Sequence, residues 1–283
     1  GGNDRLMTHG GDDWSYGEDG NDILIDNPAN DPNYTDLSWV SVAGNSNRDH
    51  LFGGLGTDFL VANGGDAYME GGDGADELYG GAHDDTLQGG TGNDVLSGDT
   101  RLIASPWTVS GSPGNLTVTE NLNGILGGET TEYGADFLYG DAGSDTLIGG
   151  GGGDRLYGGI DADWLYGDLT FIPSNLTARF SNHGTDPVSI QGDDLLWGGT
   201  GNDYLYGGGG RDRLYGEDDD DLLYGNAGDD YLEGGLGTDY LVGDDSDADT
   251  GKDEIHGGEG NDTLFGMGED DVVGQDRMIN GSR

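Results

Sequence analysis

Carboxylates recur along this chain at a fixed step, each behind a run of glycines. Gly53, Gly54 and Gly56 lead to Asp58; Gly71, Gly72 and Gly74 to Asp76; Gly89, Gly90 and Gly92 to Asp94. Gly198, Gly199 and Gly201 lead to Asp203; Gly207, Gly208 and Gly210 to Asp212. Gly234, Gly235 and Gly237 lead to Asp239, and Gly257, Gly258 and Gly260 to Asp262. Two residues after each aspartate stands a leucine, so all seven segments read G-G-x-G-x-D-x-U-x, with U large and apolar. Glycine lets a short turn aim several backbone carbonyls at one point. An aspartate beside that turn adds a carboxylate. The result is a donor set made only of hard oxygens. Ca²⁺ takes six to eight such ligands, whereas Mg²⁺ demands a tighter octahedron and resists dehydration. The chemistry to expect is multiple calcium binding.

Carrying the register through the chain gives 22 nonapeptides, with Asp at the sixth position in all but the one that has Ala67. Less regular copies contribute Asp4, Asp13, Asp22, Asp49, Asp85, Asp136, Asp145, Asp154, Asp163, Asp194, Asp221, Asp230, Asp253 and Asp271. The eighth position is Leu in 18 copies and Ser15, Met69, Ile255 and Val273 in the others. A random acidic, glycine-rich chain would not hold Asp and Leu two residues apart at this step. All these aspartates and the glycines named above are candidate metal ligands.

Elements must position those turns. Residues seven to nine of each repeat are expected to form a short strand, with the eighth facing inward and its neighbours outward. One nonapeptide cannot bury its leucine. Two can, as turn, strand, turn, strand in an 18-residue coil. Stacked coils make an all-β parallel β-roll, two parallel sheets with facing leucine rows. Eleven such coils at about 4.8 Å each give a rod roughly 50 Å long. The whole chain, 1–283, reads as one such module, with repeats over 1–25, 44–97, 131–166, 189–242 and 248–274. Insertions occupy 26–43, 98–130, 167–188 and 243–247. They follow nonapeptides 3, 9, 13 and 19. Those counts are all odd, and odd and even repeats occupy opposite edges, so all four insertions are expected on one edge. Three begin with Gly-Asp: Gly98-Asp99, Gly167-Asp168 and Gly243-Asp244. The first has the length of one coil and is weighed as a disguised one. Strand-like runs at 115–119 and 175–180 are expected to pair as small hairpins.

Composition explains why a cation is needed. The chain of 283 residues has 61 Gly, 56 acidic against 10 basic residues, and a formal net charge of -46. Such a chain would ordinarily remain disordered. One large apolar residue per repeat makes a thin core, and the acidic excess repels itself. Calcium between adjacent turns offsets both defects, with roughly 12 to 18 ions expected. The chain then reads as disordered without calcium and folded with it, so that binding free energy is folding free energy.

Several classes are excluded. Nucleic-acid binding needs Lys and Arg, and Lys252 is the only lysine. No apolar run is long enough for a membrane span. There is no cysteine, hence no disulfide and no thiolate metal site, which fits an extracellular route without disulfide chemistry. His9, His50, His83, His183 and His256 are far apart and form no H-E-x-x-H. No nucleophile elbow occurs, and carboxylate pairs are too common here to indicate glycoside chemistry. The chain is therefore read as not an enzyme. His83, Asp161, Asp219 and Glu269 replace the fourth-position glycine, marking weaker turns. Tyr139, Tyr157, Trp197 and Tyr215 fall on one column, and Tyr166, Tyr206 and Tyr224 on the other. Cross-strand packing is preferred for them over a stacking platform for a partner. The chain opens inside a repeat and is expected to be part of something longer.

The motifs ending at Asp58, Asp76, Asp94, Asp203, Asp212, Asp239 and Asp262 resemble the repeats-in-toxin (RTX) family, haemolysin-type calcium-binding repeats. The resemblance implies a right-handed parallel β-roll in which turn carbonyls and these aspartates bind calcium. It also implies a bacterial, secreted, extracellular protein exported by type I secretion, folding when it meets external calcium. The expected role is a calcium-driven folding switch and a rigid spacer or display element. One alternative is a calcium-dependent, adhesin-like module that binds polysaccharide or a cell surface. Another is the accessory part of a secreted polysaccharide-modifying or hydrolytic enzyme.

Overall fold

Alternation within each repeat sets which side chains are inside. In His50–Leu55 the burial runs half-buried, buried, half-buried, buried, and Leu51 is the inward residue. The structure, a computed structural model, describes residues 4–9, 13–20, 22–27, 48–62, 64–99, 107–112, 115–120, 134–168, 192–244, 251–267, 271–274 and 277–278. Every element among the described residues is a strand.

Strands alternate between two parallel sheets as the chain advances. The 12-stranded sheet holds β1 (Arg5–His9), β3 (Ile23–Asn27), β5 (Phe59–Val61), β7 (Glu77–Tyr79), β9 (Val95–Ser97) and β13 (Thr146–Ile148). It continues through β15 (Trp164–Tyr166), β17 (Tyr204–Gly209), β19 (Leu222–Ala227), β21 (Tyr240–Val242), β23 (Thr263–Phe265) and β25 (Arg277–Met278). The 11-stranded sheet holds β2 (Trp14–Asp19), β4 (His50–Leu55), β6 (Tyr68–Asp73), β8 (Thr86–Thr91) and β12 (Phe137–Ala142). It continues through β14 (Arg155–Ile160), β16 (Leu195–Thr200), β18 (Arg213–Asp218), β20 (Tyr231–Gly237), β22 (Glu254–Gly260) and β24 (Val272–Val273). This is the parallel β-roll that the repeat requires. Eighth-position residues line its single core: Leu60, Leu78, Leu96, Leu147, Leu165 and Leu205 from one sheet, Leu51, Met69, Leu87, Leu138, Leu156 and Leu196 from the other.

Within the regular blocks, equivalent residues pair at a separation of 18, as Asp58 does with Asp76. Across the insertions the separation rises to 36, 51, 40 and 23, yet leucine still meets leucine: Leu24↔Leu60, Leu96↔Leu147, Leu165↔Leu205 and Leu241↔Leu264. The first insertion is thus no disguised coil within the sheets, since β3 pairs directly with β5. The strands before the insertions, β3, β9, β15 and β21, all belong to the 12-stranded sheet, and β4, β12, β16 and β22, which follow them, all belong to the other. All four insertions therefore leave from one edge, as the odd counts require. In the second, β10 (Trp107–Ser112) and β11 (Asn115–Glu120) form an antiparallel hairpin that joins neither large sheet. The run 175–180 lies outside the described residues.

Two features depart from the sequence reading. Strands of the 11-stranded sheet do not stop at the ninth position; most continue through the first three residues of the next repeat, as β4 and β6 do. At the second position the backbone crowds the coil before it. A Cβ on Gly72, at φ 114°, would strike the carbonyl oxygen of Gly54. The second is β25, where Met278 pairs with Leu264 after a link shorter than a full repeat.

Stacking imposes the turn shape even where glycine is missing. Among the described residues, Glu18, Asp141, Glu217, Asn226 and Met267 at second positions, and His83, Asp161 and Asp219 at fourth positions, are the non-glycine residues with positive φ, between 68° and 85°. Glu269 lies outside the described residues.

Candidate metal centre

The sixth-position aspartates form two files, one along each edge. Each is built by the same three backbone links. Asp58 donates its N–H to Asp76 Oδ1 at 2.8 Å, and its carbonyl accepts the N–H of Glu77 at 2.9 Å. Its own Oδ1 accepts the N–H of Asp22 at 2.6 Å. The same step joins Asp4 to Asp22, Asp76 to Asp94, Asp94 to Asp145, Asp145 to Asp163, Asp163 to Asp203, Asp203 to Asp221, Asp221 to Asp239 and Asp239 to Asp262. On the insertion edge it joins Asp13 to Asp49, Ala67 to Asp85, Asp85 to Asp136, Asp136 to Asp154 and Asp154 to Asp194. It continues from Asp194 to Asp212, Asp212 to Asp230, Asp230 to Asp253 and Asp253 to Asp271. The Ala67 carbonyl accepts the N–H of Thr86 at 2.9 Å, but the residue carries no carboxylate, so this file has one gap.

In seventeen of these carboxylates only one oxygen is hydrogen-bonded. The Oδ2 atoms of Asp22, Asp58, Asp76, Asp85, Asp94, Asp136, Asp145, Asp154 and Asp163 are buried with no hydrogen-bond partner, as are those of Asp194, Asp203, Asp212, Asp221, Asp230, Asp239, Asp253 and Asp262. A native protein buries few such groups, and each needs an explanation. Each Oδ2 points into its own turn. A Cβ on Gly53 would lie 2.5 Å from Asp58 Oδ2 and 2.6 Å from the carbonyl oxygen of Gly71 in the next coil. Both oxygens thus crowd the same face of one glycine. Fourth-position carbonyls also point along the stack, since a Cβ on Gly74 would fall on Gly56 O. Among the described residues no three carboxylate or imidazole side chains gather into a metal cluster. A cation here would draw most of its ligands from the backbone. Carbonyl and carboxylate oxygens without nitrogen or sulfur are the donors Ca²⁺ takes, so the residues present fit that ion.

The RTX calcium-binding nonapeptide repeat matches residues 1–24, 41–69, 61–96, 130–165, 190–223, 215–247 and 247–273. The chain belongs to that family. No curated protein matches it.

Electrostatics work against ionising these carboxylates in the RTX roll without a cation beside them. Burial pushes the Asp76 and Asp94 carboxyls up to about 7, with like-charged neighbours adding to it. Burial likewise drives Asp163, Asp221 and Asp253 to about 8. On the insertion edge Asp85, Asp136, Asp194 and Asp212 are raised well above the ordinary carboxylate range, again by burial first and by neighbouring aspartates next. Burying one unpaired charge costs several kcal/mol, against a total stability of roughly 5–15 kcal/mol for a domain. Two files of them cannot be held without protons or cations.

Sequence reasoning missed a second, exposed ladder at the fifth position. Asn93 Oδ1 accepts the N–H of Ser144 at 3.2 Å, Asp84 Oδ1 that of Ala135 at 3.0 Å, and Asp220 Oδ1 that of Thr238 at 2.8 Å. These side chains reach forward to the next coil, whereas the sixth-position oxygens accept from the previous one. The recurrent Asn and Asp at that position was the available signal.

Aromatic columns sit as expected. Tyr139 stacks on Tyr157 at 4.8 Å, Tyr157 on Trp197 at 4.5 Å, and Tyr206 on Tyr166 and Tyr224 at 5.1 and 5.2 Å. Tyr166 is buried and the others are half-buried. Their rings spend their faces on each other, which is cross-strand packing.

Proposed function

We propose that this RTX module takes up calcium between successive turns and folds as it does so. Asp58, Asp76, Asp94, Asp145, Asp163, Asp203, Asp221, Asp239 and Asp262 would hold ions along one edge, and Asp85, Asp136, Asp154, Asp194, Asp212, Asp230 and Asp253 along the other. Bound calcium supplies positive charge to oxygens that the fold buries half-satisfied. The chain's own residues do the rest: Oδ1 locks each coil to the one before it, and the glycine turns aim carbonyls along the stack. The carrying observation is the two files of buried Oδ2 atoms without a hydrogen-bond partner. Ion uptake and coil stacking use the two oxygens of one carboxylate, so folding and binding are coupled.

The module is read as non-catalytic, a folding switch and rigid spacer or display element of a secreted bacterial protein. RTX repeat proteins are typically secreted by bacteria. Equilibrium dialysis against calcium, followed by circular dichroism at each concentration, tests the reading. Uptake of many ions in step with a β spectrum supports it; a β spectrum with no ions taken up refutes it.

A calcium-dependent surface- or polysaccharide-binding role has one observation in its favour. Trp14 and Tyr16 are 58% and 54% exposed, stacked on His50 and Phe52 at 4.0 and 4.9 Å. A glycan array with and without calcium separates that role from a bare spacer.

A further inference from the structure

Three insertions leave the roll through the same dipeptide, and the structure shows what it does. Gly98 occupies the seat of a first-position glycine: a Cβ there would strike Asp136 Oδ2 and lie 2.5 Å from Gly149 O. Gly167 stands in the same way against Asp194 Oδ2, and Gly243 against Asp253 Oδ2. The next residues, Asp99, Asp168 and Asp244, therefore take the second position of the turn, and they are 8%, 5% and 0% exposed.

In a regular turn the second-position carbonyl points along the stack, as Gly54 O does toward Gly72. At two of the interrupted turns an aspartate side chain is found there instead, its Cβ nearest and its carboxylate close behind. Asp99 Oδ2 lies 2.7 Å from the ideal Cβ of Gly150, and Asp168 Oδ2 lies 3.1 Å from that of Gly208. Backbone donors fix the carboxylates. Gly134 N–H donates to Asp99 Oδ1 at 3.2 Å and Gly151 N–H to Oδ2 at 2.7 Å. Gly192 and Gly209 donate to Asp168 Oδ2 at 3.1 and 3.0 Å, and Gly251 to Asp244 Oδ2 at 3.3 Å. Gly134, Gly192 and Gly251 are fourth-position residues on the far side of the insertion, so each aspartate spans the break. A carboxylate has about four acceptor sites, and two N–H bonds do not saturate Asp99. Beside each of these aspartates lies a buried Oδ2 without a hydrogen-bond partner, on Asp136, Asp194 or Asp253.

We propose that Asp99, Asp168 and Asp244 are calcium ligands, each supplying a carboxylate where an uninterrupted turn supplies a backbone carbonyl. The interrupted turns then form a class of site with one more negative charge, and more ligand charge tightens calcium binding. The roll thereby keeps its file of ions intact past insertions of very different length. This rests on the calcium reading above.

The test compares the full chain with Asp99→Asn, Asp168→Asn and Asp244→Asn, singly and together, by equilibrium dialysis with ⁴⁵Ca²⁺. Asparagine keeps an oxygen for a backbone N–H and removes the charge. The expected result is one ion per substitution bound about tenfold or more weakly, at least the scale that even outer-shell partners command. Asp19→Asn, at an exposed turn on the other edge, leaves the isotherm unchanged. Isotherms of the three variants identical to that of the parent chain would overturn the proposal and leave the aspartates as clamps only. If the triple variant does not fold, the single variants decide. A parent chain that binds no calcium would instead overturn the underlying reading, so the two failures are distinct.

Discussion

The backbone N–H of Asp145 donates to Asp163 Oδ1 at 2.8 Å, while Oδ2 of the same carboxylate is buried with no hydrogen-bond partner. One group thus ties two coils together and presents a bare oxygen to the turn. Asp163→Asn keeps an acceptor for Asp145 and turns the bare oxygen into a donor. It is expected to raise the calcium concentration at half-folding, and Asp163→Ala, which loses both, to raise it further. Circular dichroism during a calcium titration measures the order; equal midpoints for the parent chain and both variants would contradict it.

Ala67 offers the complementary experiment. Its N–H bonds Asp85 Oδ1 at 2.8 Å, but it returns no carboxylate to its file. Ala67→Asp should lower the calcium concentration at half-folding and add one bound ion. Unchanged stoichiometry in dialysis would show that the gap lies outside the ion file.

Acid should favour the ion-free roll. In the folded state burial raises Asp94 to about 7 and Asp163 to about 8, whereas the unfolded chain titrates near 3.9. A raised folded value means stability that is fully present below about 4 and lost as pH rises through about 7 to 8. In chelator, β signal should therefore grow on acidification from pH 8 to 5. The same sign predicts little proton release when calcium is added at pH 7, because the unfolded carboxylates are already ionised. Calorimetric titration in two buffers of different ionisation enthalpy reads this directly; a large buffer dependence would mean that a protonated roll exists beforehand.

Asp161 sits at a fourth position with φ 77°, and it is exposed. A side chain in that region costs on the order of 1–2 kcal/mol. Asp161→Gly should stabilise the calcium-loaded roll by about 1 kcal/mol, seen as a higher urea midpoint at fixed calcium.

Leu205 is fully buried in the thin core. Leu205→Ala leaves a cavity that neighbouring coils cannot fill, with an expected loss of about 2–5 kcal/mol. The same urea titration would measure it.

Much of this was legible in the sequence because the repeat writes its own contacts. The spacing of Leu60 and Leu78 fixes their pairing, and the odd repeat counts before the insertions fix a common edge. What escaped depends on neighbours distant in sequence. That strands such as β4 and β6 run on past the ninth position shows only when the adjacent coil is in place. The role of Asp99 appears only when Gly134 is brought beside it. The forward bonds of Asn93 and Asp84 need two coils in place, and Met278 joins the sheet after an irregular link that no fixed register could include.

Small-angle scattering of the chain in chelator, in magnesium and in millimolar calcium tests the central claim most directly. The account predicts a radius of gyration near 60 Å in chelator, little changed by magnesium, falling to about 20 Å in calcium. A radius near 20 Å in chelator at neutral pH would contradict it.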